Sequence, residues 1–329
     1  MPSQTRIERV HRRGFLQAAA GATLGLASVG PLRAAAPDRQ RVLRVAHLTD
    51  VHVQPERKAD RGMIACLHHV QERQPKPDLI LFGGDCVMDA FAARRDRTRL
   101  QWDMWQRVLR AENGVPHRAA IGNHDIWGWN QAKSEATGAE PDYGKNWAVE
   151  ALAVPQRYYH FTQAGWHFIA LDGVQPGERP GTYSAYLDEE QLDWLTGRLK
   201  SIPAQEPILI WSHIPLVSVM PLLSKRQTPT SKMEVGAGWV HTDAGLVAQL
   251  LGGFANVKLC LSGHLHLVDH CFVRGVNYHC NGAVSGSWWK GPNEGFPEGY
   301  AVVDLYSDGT YELEYVAYGW QAEPEEPKR

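Results

Sequence analysis

Apolar positions along the chain follow two rhythms. Runs of about four to eight residues rich in β-branched and aromatic side chains alternate with stretches where apolar residues recur every three or four positions. The first kind predicts strands in "RVLRVAHL", "DLILFGG", "HRAAIG", "RYYHFTQ", "WHFIALD", "PILIWSH", "VKLCLSG", "CFVRG", "VNYHCNG" and "YAVVDLY". The second predicts helices near Ala59 to Gln74, Thr98 to Glu112, Asp188 to Leu199 and Asp243 to Leu251. Strands interleaved with helices imply a layered α/β core. The closing "GYAVVDLYSDGTYELEYVAYG" is two alternating runs joined by Ser307, Asp308 and Gly309, a hairpin at a sheet edge. Two stretches, 126–155 and 219–239, keep neither period and read as loop insertions, which in a compact domain are more often functional than idle.

The N-terminus has a different character. A basic segment leads into "FLQAAAGATLGLASVGPL" and then Ala34, Ala35 and Ala36, the layout of an export signal. Within it "HRRGFLQ" resembles the twin-arginine signal. That resemblance implies the twin-arginine translocase as a partner, delivery to the periplasm or outside of a bacterium, and a catalytic domain spanning 37–329 after removal of 1–36. Glycines and Pro31 interrupt the run from Phe15 to Leu32, so a lasting membrane anchor is the lesser alternative. Removal takes away five Arg and one Glu, leaving 29 basic and 35 acidic residues and a net charge of −6. Such a balance argues against a nucleic-acid backbone as partner. Five cysteines without a CxxC spell neither a zinc knuckle nor a disulfide framework, although Cys271 and Cys280 flank a turn and could pair across a hairpin.

Five of the predicted strands end in residues able to bind metal. "HLTDVH" offers Asp50 and His52, "LFGGDC" offers Asp85, "AIGNHD" offers Asn123 and His124, "IWSHIP" offers His213, and "LSGHLH" offers His264 and His266. Layered α/β folds gather the carboxyl ends of their strands along one edge, so residues more than two hundred positions apart can meet in one crevice. Imidazoles mixed with carboxylates suit Mn, Fe or Zn better than Mg or Ca. The donors are too many for one ion with open positions and suit two ions sharing Asp85. Any single piece could be a buried histidine or a strand-end cap; the ordered set of five carries the inference.

Together, DxH, GD, GNHD, an isolated His after a strand, and GHxH resemble the signature of the calcineurin-like metallophosphoesterases. The resemblance implies a four-layer α/β/β/α sandwich with mixed sheets and two metal ions at the carboxyl ends of the strands. It assigns Asp50, His52, Asp85 and His266 to one ion, and Asp85, Asn123, His213 and His264 to the other. His124 then faces the phosphate and assists the leaving group, with Asp125 orienting it. The implied reaction is phosphoester hydrolysis by a hydroxide bridging the two ions, on a small phosphoester, with a phosphodiester favoured by the DxH form. A phosphomonoester or pyrophosphate substrate is the alternative, and a metal-binding scaffold without turnover is the non-enzyme one. Met88 stands where purple acid phosphatases carry a tyrosine, which argues against a tyrosinate-iron centre; Asp89 is read as a loop residue. Candidate substrate contacts are Trp127 and Trp129 after GNHD, His241, and the pair Trp288 and Trp289, each weighed against plain packing.

Overall fold

A computed structural model describes residues 39–223 and 234–323. The export-signal reading of 1–36 lies outside the described residues. The chain first weaves β1 (Arg41–Leu48), α1 (Ala59–Glu72), β2 (Leu79–Phe82), α2 (Arg95–Glu112) and β3 (His117–Ala119) into a parallel unit. Short helices α3 (Gln131–Ser134) and α4 (Asn146–Ala151) follow, and then the hairpin of β4 (Tyr159–Gln163) and β5 (Trp166–Ala170). A small antiparallel pair, β6 (Val174–Pro176) and β7 (Tyr183–Ala185), precedes α5 (Glu189–Ser201) and β8 (Ile208–Trp211). After α6 (Met220–Leu223) and α7 (Ala244–Gly252) come β9 (Val257–Ser262), β10 (Asp269–Val273) and β11 (Val276–Cys280). The hairpin of β12 (Gly299–Tyr306) and β13 (Tyr311–Ala317) returns to the first sheet.

Two mixed sheets result, in the orders β13-β12-β1-β2-β3 and β10-β11-β9-β8-β5-β4. Burial on both faces explains why the central strands read as unbroken apolar runs. In β8, Leu209 and Trp211 join the core shared with β1, β2, α1 and α2, whereas Ile208 and Ile210 pack with Leu195 and Leu199 of α5 and Val247 and Leu251 of α7. Residues Leu259 and Leu261 of β9 split from Val257 and Cys260 in the same way. The period-two alternation therefore builds helices, sheet, sheet and helices, the four layers expected. Asp188 caps α5 by accepting the Gln191 N–H at 2.9 Å, with Glu189 and Glu190 in the first turn and Arg198 and Lys200 in the last, as the helix dipole favours.

Two expectations change. Cys271 lies opposite Tyr278 and Cys280 opposite Asp269, so the two thiols are offset along the ladder and stay free. Diagonal neighbours in an antiparallel pair lie about 7–8 Å apart, beyond the usual Cα span of a disulfide. The insertion at 126–155 is also more ordered than its lack of period suggested. It carries α3 and α4, exchanges backbone hydrogen bonds between Trp127 and Gly144, and is pinned to the body by Lys145 on the buried Asp172 at 2.5 Å. Of the second insertion, 219–239, the described part includes α6; residues 224–233 lie outside the described set.

Candidate metal centre

All five motifs sit just past the carboxyl ends of parallel strands, three from the first sheet and two from the second. Asp50 and His52 follow β1, Asp85 follows β2, Asn123 and His124 follow β3, His213 follows β8, and His264 and His266 follow β9. Backbone hydrogen bonds sew these loops together: Asp50 N–H to Gly84 O, His52 N–H to Asp85 O, and Gly263 N–H to His213 O. Side chains cross between the sheets as well. His213 Nδ1 donates to Gly83 O at 2.9 Å, and Asp50 Oδ2 accepts the His264 N–H at 2.8 Å.

The turns are tight enough to strain the backbone. Asp50, His52, Asp85, His264 and His266 all lie in the left-handed region, with φ between 48° and 69°. Non-glycine residues visit that region at a cost, and such strain clusters at functional sites. Gly122 answers a different need. Its φ is −97°, open to any residue, but a Cβ there would stand 2.2 Å from the backbone nitrogen and Oδ1 of Asp85. Glycine is required there for clearance beside the Asp85 carboxylate.

Potential ligand atoms converge in three overlapping groups, each within 4.8 Å: Asp50 with His52 and His266, Asp85 with His213 and His264, and His52 with Asp85 and His124. His213 Nε2 lies 3.1 Å from both Asp85 Oδ2 and Asn123 Oδ1, which adds the amide oxygen to the second group. Two imidazole nitrogens, His52 Nε2 and His266 Nε2, face each other at 3.1 Å, and the buried Asp50 Oδ1 accepts no hydrogen bond. Bare nitrogens turned toward one another and an orphaned carboxylate oxygen are costly without a partner, and cations satisfy all of them. The donor set would suit two metal ions, and Asp85 belongs to two of the three groups.

The electrostatics agree. Burial opposes ionisation of Asp85, yet His213 and His124 hold its carboxyl well below the usual range. Burial likewise works against the His213 imidazolium, but Asp85 and Asp50 lift it to about 9. Burial drives His52 and His264 the other way, each to about 3, leaving neutral rings suited to ligation. Tautomers are set from behind: His266 Nδ1 is held by Gly286 O and His213 Nδ1 by Gly83 O, so both Nε2 atoms face inward.

A family model for calcineurin-like phosphoesterases matches residues 43–268. The chain belongs to that family. Phosphoester hydrolysis at a dinuclear metal centre is its chemistry, and this chain is a hydrolase of that kind. A Synechococcus protein named "Probable cyclic nucleotide phosphodiesterase" is 27% identical over 82% of this chain and 90% of its own length. A Nostoc 3',5'-cyclic-nucleotide phosphodiesterase is 25% identical over 86% of this chain and 96% of its own. Among solved structures, a dimetal phosphatase from Danio rerio superposes with a TM-score of 0.55 at 16% identity, covering 85% of this chain and all of that one, a likeness of fold alone.

The calcineurin-like centre opens into a cavity of about 140 Å³ lined by His52, Asp85, Asn123, His124, Tyr183, Trp239, His264, Leu265, His266 and Trp288. His124 is half-buried, and its Nδ1 donates to Met88 O at 2.5 Å, which leaves Nε2 as the free nitrogen. Asp125 was expected to orient that ring and does something else. Its Oδ1 accepts the N–H groups of Cys86 and Val87 and its Oδ2 that of Gly122, so it staples the GNHD turn to the loop carrying Asp85. A backbone carbonyl, invisible in any motif, does the orienting. Asp89 caps its own loop by accepting the Ala92 N–H at 2.9 Å, as a loop residue would.

Among the candidate substrate contacts only Trp288 lines the metal cavity. Trp127 is buried, its ring edge-on to Trp147 and its Nε1 on Ala93 O, and it packs the insertion. Trp129 borders a separate cleft of about 490 Å³ with Tyr143, Arg179 and Thr182. His241 is buried against Gly173, its Nδ1 on Asp243, and Trp289 is buried with its Nε1 on His52 O. Tyr183 and Trp239 were missed. Tyr183 opens the three-residue β7 and Trp239 ends the irregular 219–239 stretch, neither within a motif, and only the fold brings them to the rim.

Proposed function

We propose that the chain is a phosphodiesterase acting on small diesters in the bacterial periplasm or outside the cell. The observation that carries this is the cavity itself: a floor of Asp85, Asn123 and imidazoles, with the unliganded Nε2 of His124 opening into the same space. Asp50, His52, Asp85 and His266 would hold one cation, and Asp85, Asn123, His213 and His264 the other. Manganese or iron suits this donor set, with zinc as the next candidate. When bound, two such ions polarise the phosphoryl oxygens and supply a water of lowered pKa.

The rest falls to the chain. His124, with its Nδ1 proton fixed on Met88 O, carries the proton that matters at Nε2 and delivers it to the departing alcohol. The αL turns at Asp50, Asp85 and His264 hold the donors before any ion arrives, so little reorganisation is left for the reaction. Tyr183, Trp239 and Trp288 narrow the mouth and exclude bulk water. The diester preference is supported by the names of the relatives, two cyclic-nucleotide phosphodiesterases and a glycerophosphodiester phosphodiesterase from Arcobacter nitrofigilis, 22% identical over 68% of this chain and 72% of its own.

Turnover of bis-p-nitrophenyl phosphate and p-nitrophenyl phosphate, each with Mn, Fe and Zn, tests the reading. The diester should lead in kcat/KM by at least about tenfold; a monoester lead overturns it. Location rests on the twin-arginine resemblance at Arg12 and Arg13. Replacing both by Lys should stop export by the twin-arginine translocase, and continued export through that route would refute it. No helix among the described residues is long and apolar enough to cross a membrane.

A further inference from the structure

Past β11 the chain places two tryptophans side by side in the left-handed region, Trp288 at φ 51° and Trp289 at 67°. Bulky side chains there are true outliers and need a reason. Their surroundings differ sharply. Trp289 is buried, donates its Nε1 to His52 O at 3.0 Å and its backbone N–H to Ser285 O at 2.7 Å, and meets Trp320 edge-on at 5.7 Å. Gly62 of α1 makes room for it: a Cβ at that position would come within 2.0 Å of the indole. Trp288 is half-buried and turns into the metal cavity, its ring centroid 4.6 Å from that of His266 and 6.1 Å from that of His52.

The same loop does a third job, because Gly286 O, two residues before Trp288, holds Nδ1 of His266. Once Trp289 is locked under His52 and Gly286 is locked on His266, Trp288 between the two anchors has little freedom of direction. Packing accounts for Trp289 fully. It does not account for a strained aromatic ring left facing a polar cavity.

We propose that Trp288 is a stacking platform for a planar ester group of the substrate, an aryl ring or a nucleobase, and that Trp289 and Gly62 are positioning residues that aim it. A flat π-surface beside the metal floor gains from a second flat surface and gains nothing specific from glycerol or a short alkyl chain. The inference deepens the phosphodiesterase reading and rests on it for the diester, while the recognition of a planar group can be measured without turnover.

The test uses the metal-loaded full-length protein with phenylphosphonate and methylphosphonate as probes, whose P–C bonds resist hydrolysis. By calorimetry the unaltered protein should bind phenylphosphonate about tenfold more tightly than methylphosphonate. Trp288→Ala should bring that ratio close to one, and Trp288→Phe should keep most of it. Gly62→Ala, which touches nothing in the cavity, should lower the ratio by displacing Trp289, with both metals still bound by elemental analysis. With bis-p-nitrophenyl phosphate, Trp288→Ala should raise KM about tenfold and leave kcat within a small factor, as lost uniform binding does. A preference for phenylphosphonate that survives in Trp288→Ala, or its absence from the unaltered protein, overturns the proposal. If Trp288→Ala loses metal, the Trp288→Phe and Gly62→Ala ratios decide: a ratio unchanged in Gly62→Ala removes the positioning role. Failure to hydrolyse any diester would refute the phosphodiesterase reading and leave the phosphonate ratio to judge the platform by itself.

Discussion

The floor and the rim of the cavity are built by different means. Floor residues such as Asp85, His52 and His266 are buried, lie three or four positions past a strand end, and are each held by hydrogen bonds to or from backbone groups. Rim residues Tyr183, Trp239 and Trp288 are half-buried, come from the short β7 and two loops far apart in the sequence, and are placed by packing, as Tyr183 is by Phe91 at 5.7 Å and by Gly238, which has no side chain to block it. The contrast teaches that the reaction and its selectivity have separate structural supports. Changes to the floor should remove turnover for every substrate, and changes to the rim should redistribute preference among substrates.

The largest expected effect tests the floor at its proposed shared ligand. Asp85→Ala should cost on the order of 10³-fold or more in kcat with loss of both ions, read by elemental analysis beside the diester assay. A variant that keeps two metals would break the assignment of Asp85 as the bridge. His124→Ala should lower kcat by about 10²–10⁴ while metal content stays at two per chain, as the proposed proton-moving role of Nε2 requires. Unaltered turnover in the metal-replete variant would remove His124 from the mechanism.

A pH prediction follows from His213. In the metal-free protein Asp85 and Asp50 hold its proton up to about 9 against the cost of burial. The sign is direct: below that pH the proton occupies the nitrogen a cation needs, so binding must release it, and affinity should fall about tenfold per pH unit on descending from 9. Calorimetry in buffers of different ionisation enthalpy should count close to one proton released at pH 7 from this group. Affinity that stays flat from pH 6 to 8 would contradict it.

Smaller effects separate scaffold from rim. Asp125→Ala leaves the N–H groups of Gly122, Cys86 and Val87 without an acceptor, and should cost about 1–3 kcal/mol in urea unfolding. With saturating metal it should keep most of its kcat, because Met88 O rather than Asp125 orients His124; a collapse of kcat at full metal loading would restore the orienting role. At the rim, Tyr183→Phe should leave metal content untouched and change KM by roughly twofold to tenfold. A loss of ions there would erase the distinction between the two regions.

Much of this molecule is written along its sequence. The strand "RVLRVAHL" matches β1 end to end, and the last hairpin falls where its alternation placed it, because a two-period or an unbroken apolar run leaves few other ways to bury itself. The short β6 and β7 were not legible, since three-residue strands carry too little pattern to rise above a loop. Trp127 and Trp129 are close to His124 in sequence, but nearness along the chain does not translate into nearness in space when a turn intervenes, and neither lines the cavity of the candidate metal centre.

What the sequence determined by itself was the metal chemistry. Ligation demands particular atoms, few residue types supply them, and strand ends of a layered fold deliver them to one edge, so DxH, GD, GNHD, His213 and GHxH could be recognised without coordinates. Only the tertiary structure decided how those atoms are held and what surrounds them: Asp125 on three backbone N–H groups, His124 on the carbonyl of Met88, Gly122 giving clearance to Asp85, and Trp289 under His52 aiming Trp288. These are contacts to backbone and packing against shape, to which almost any sequence can contribute, and they become visible only when the chain is closed on itself.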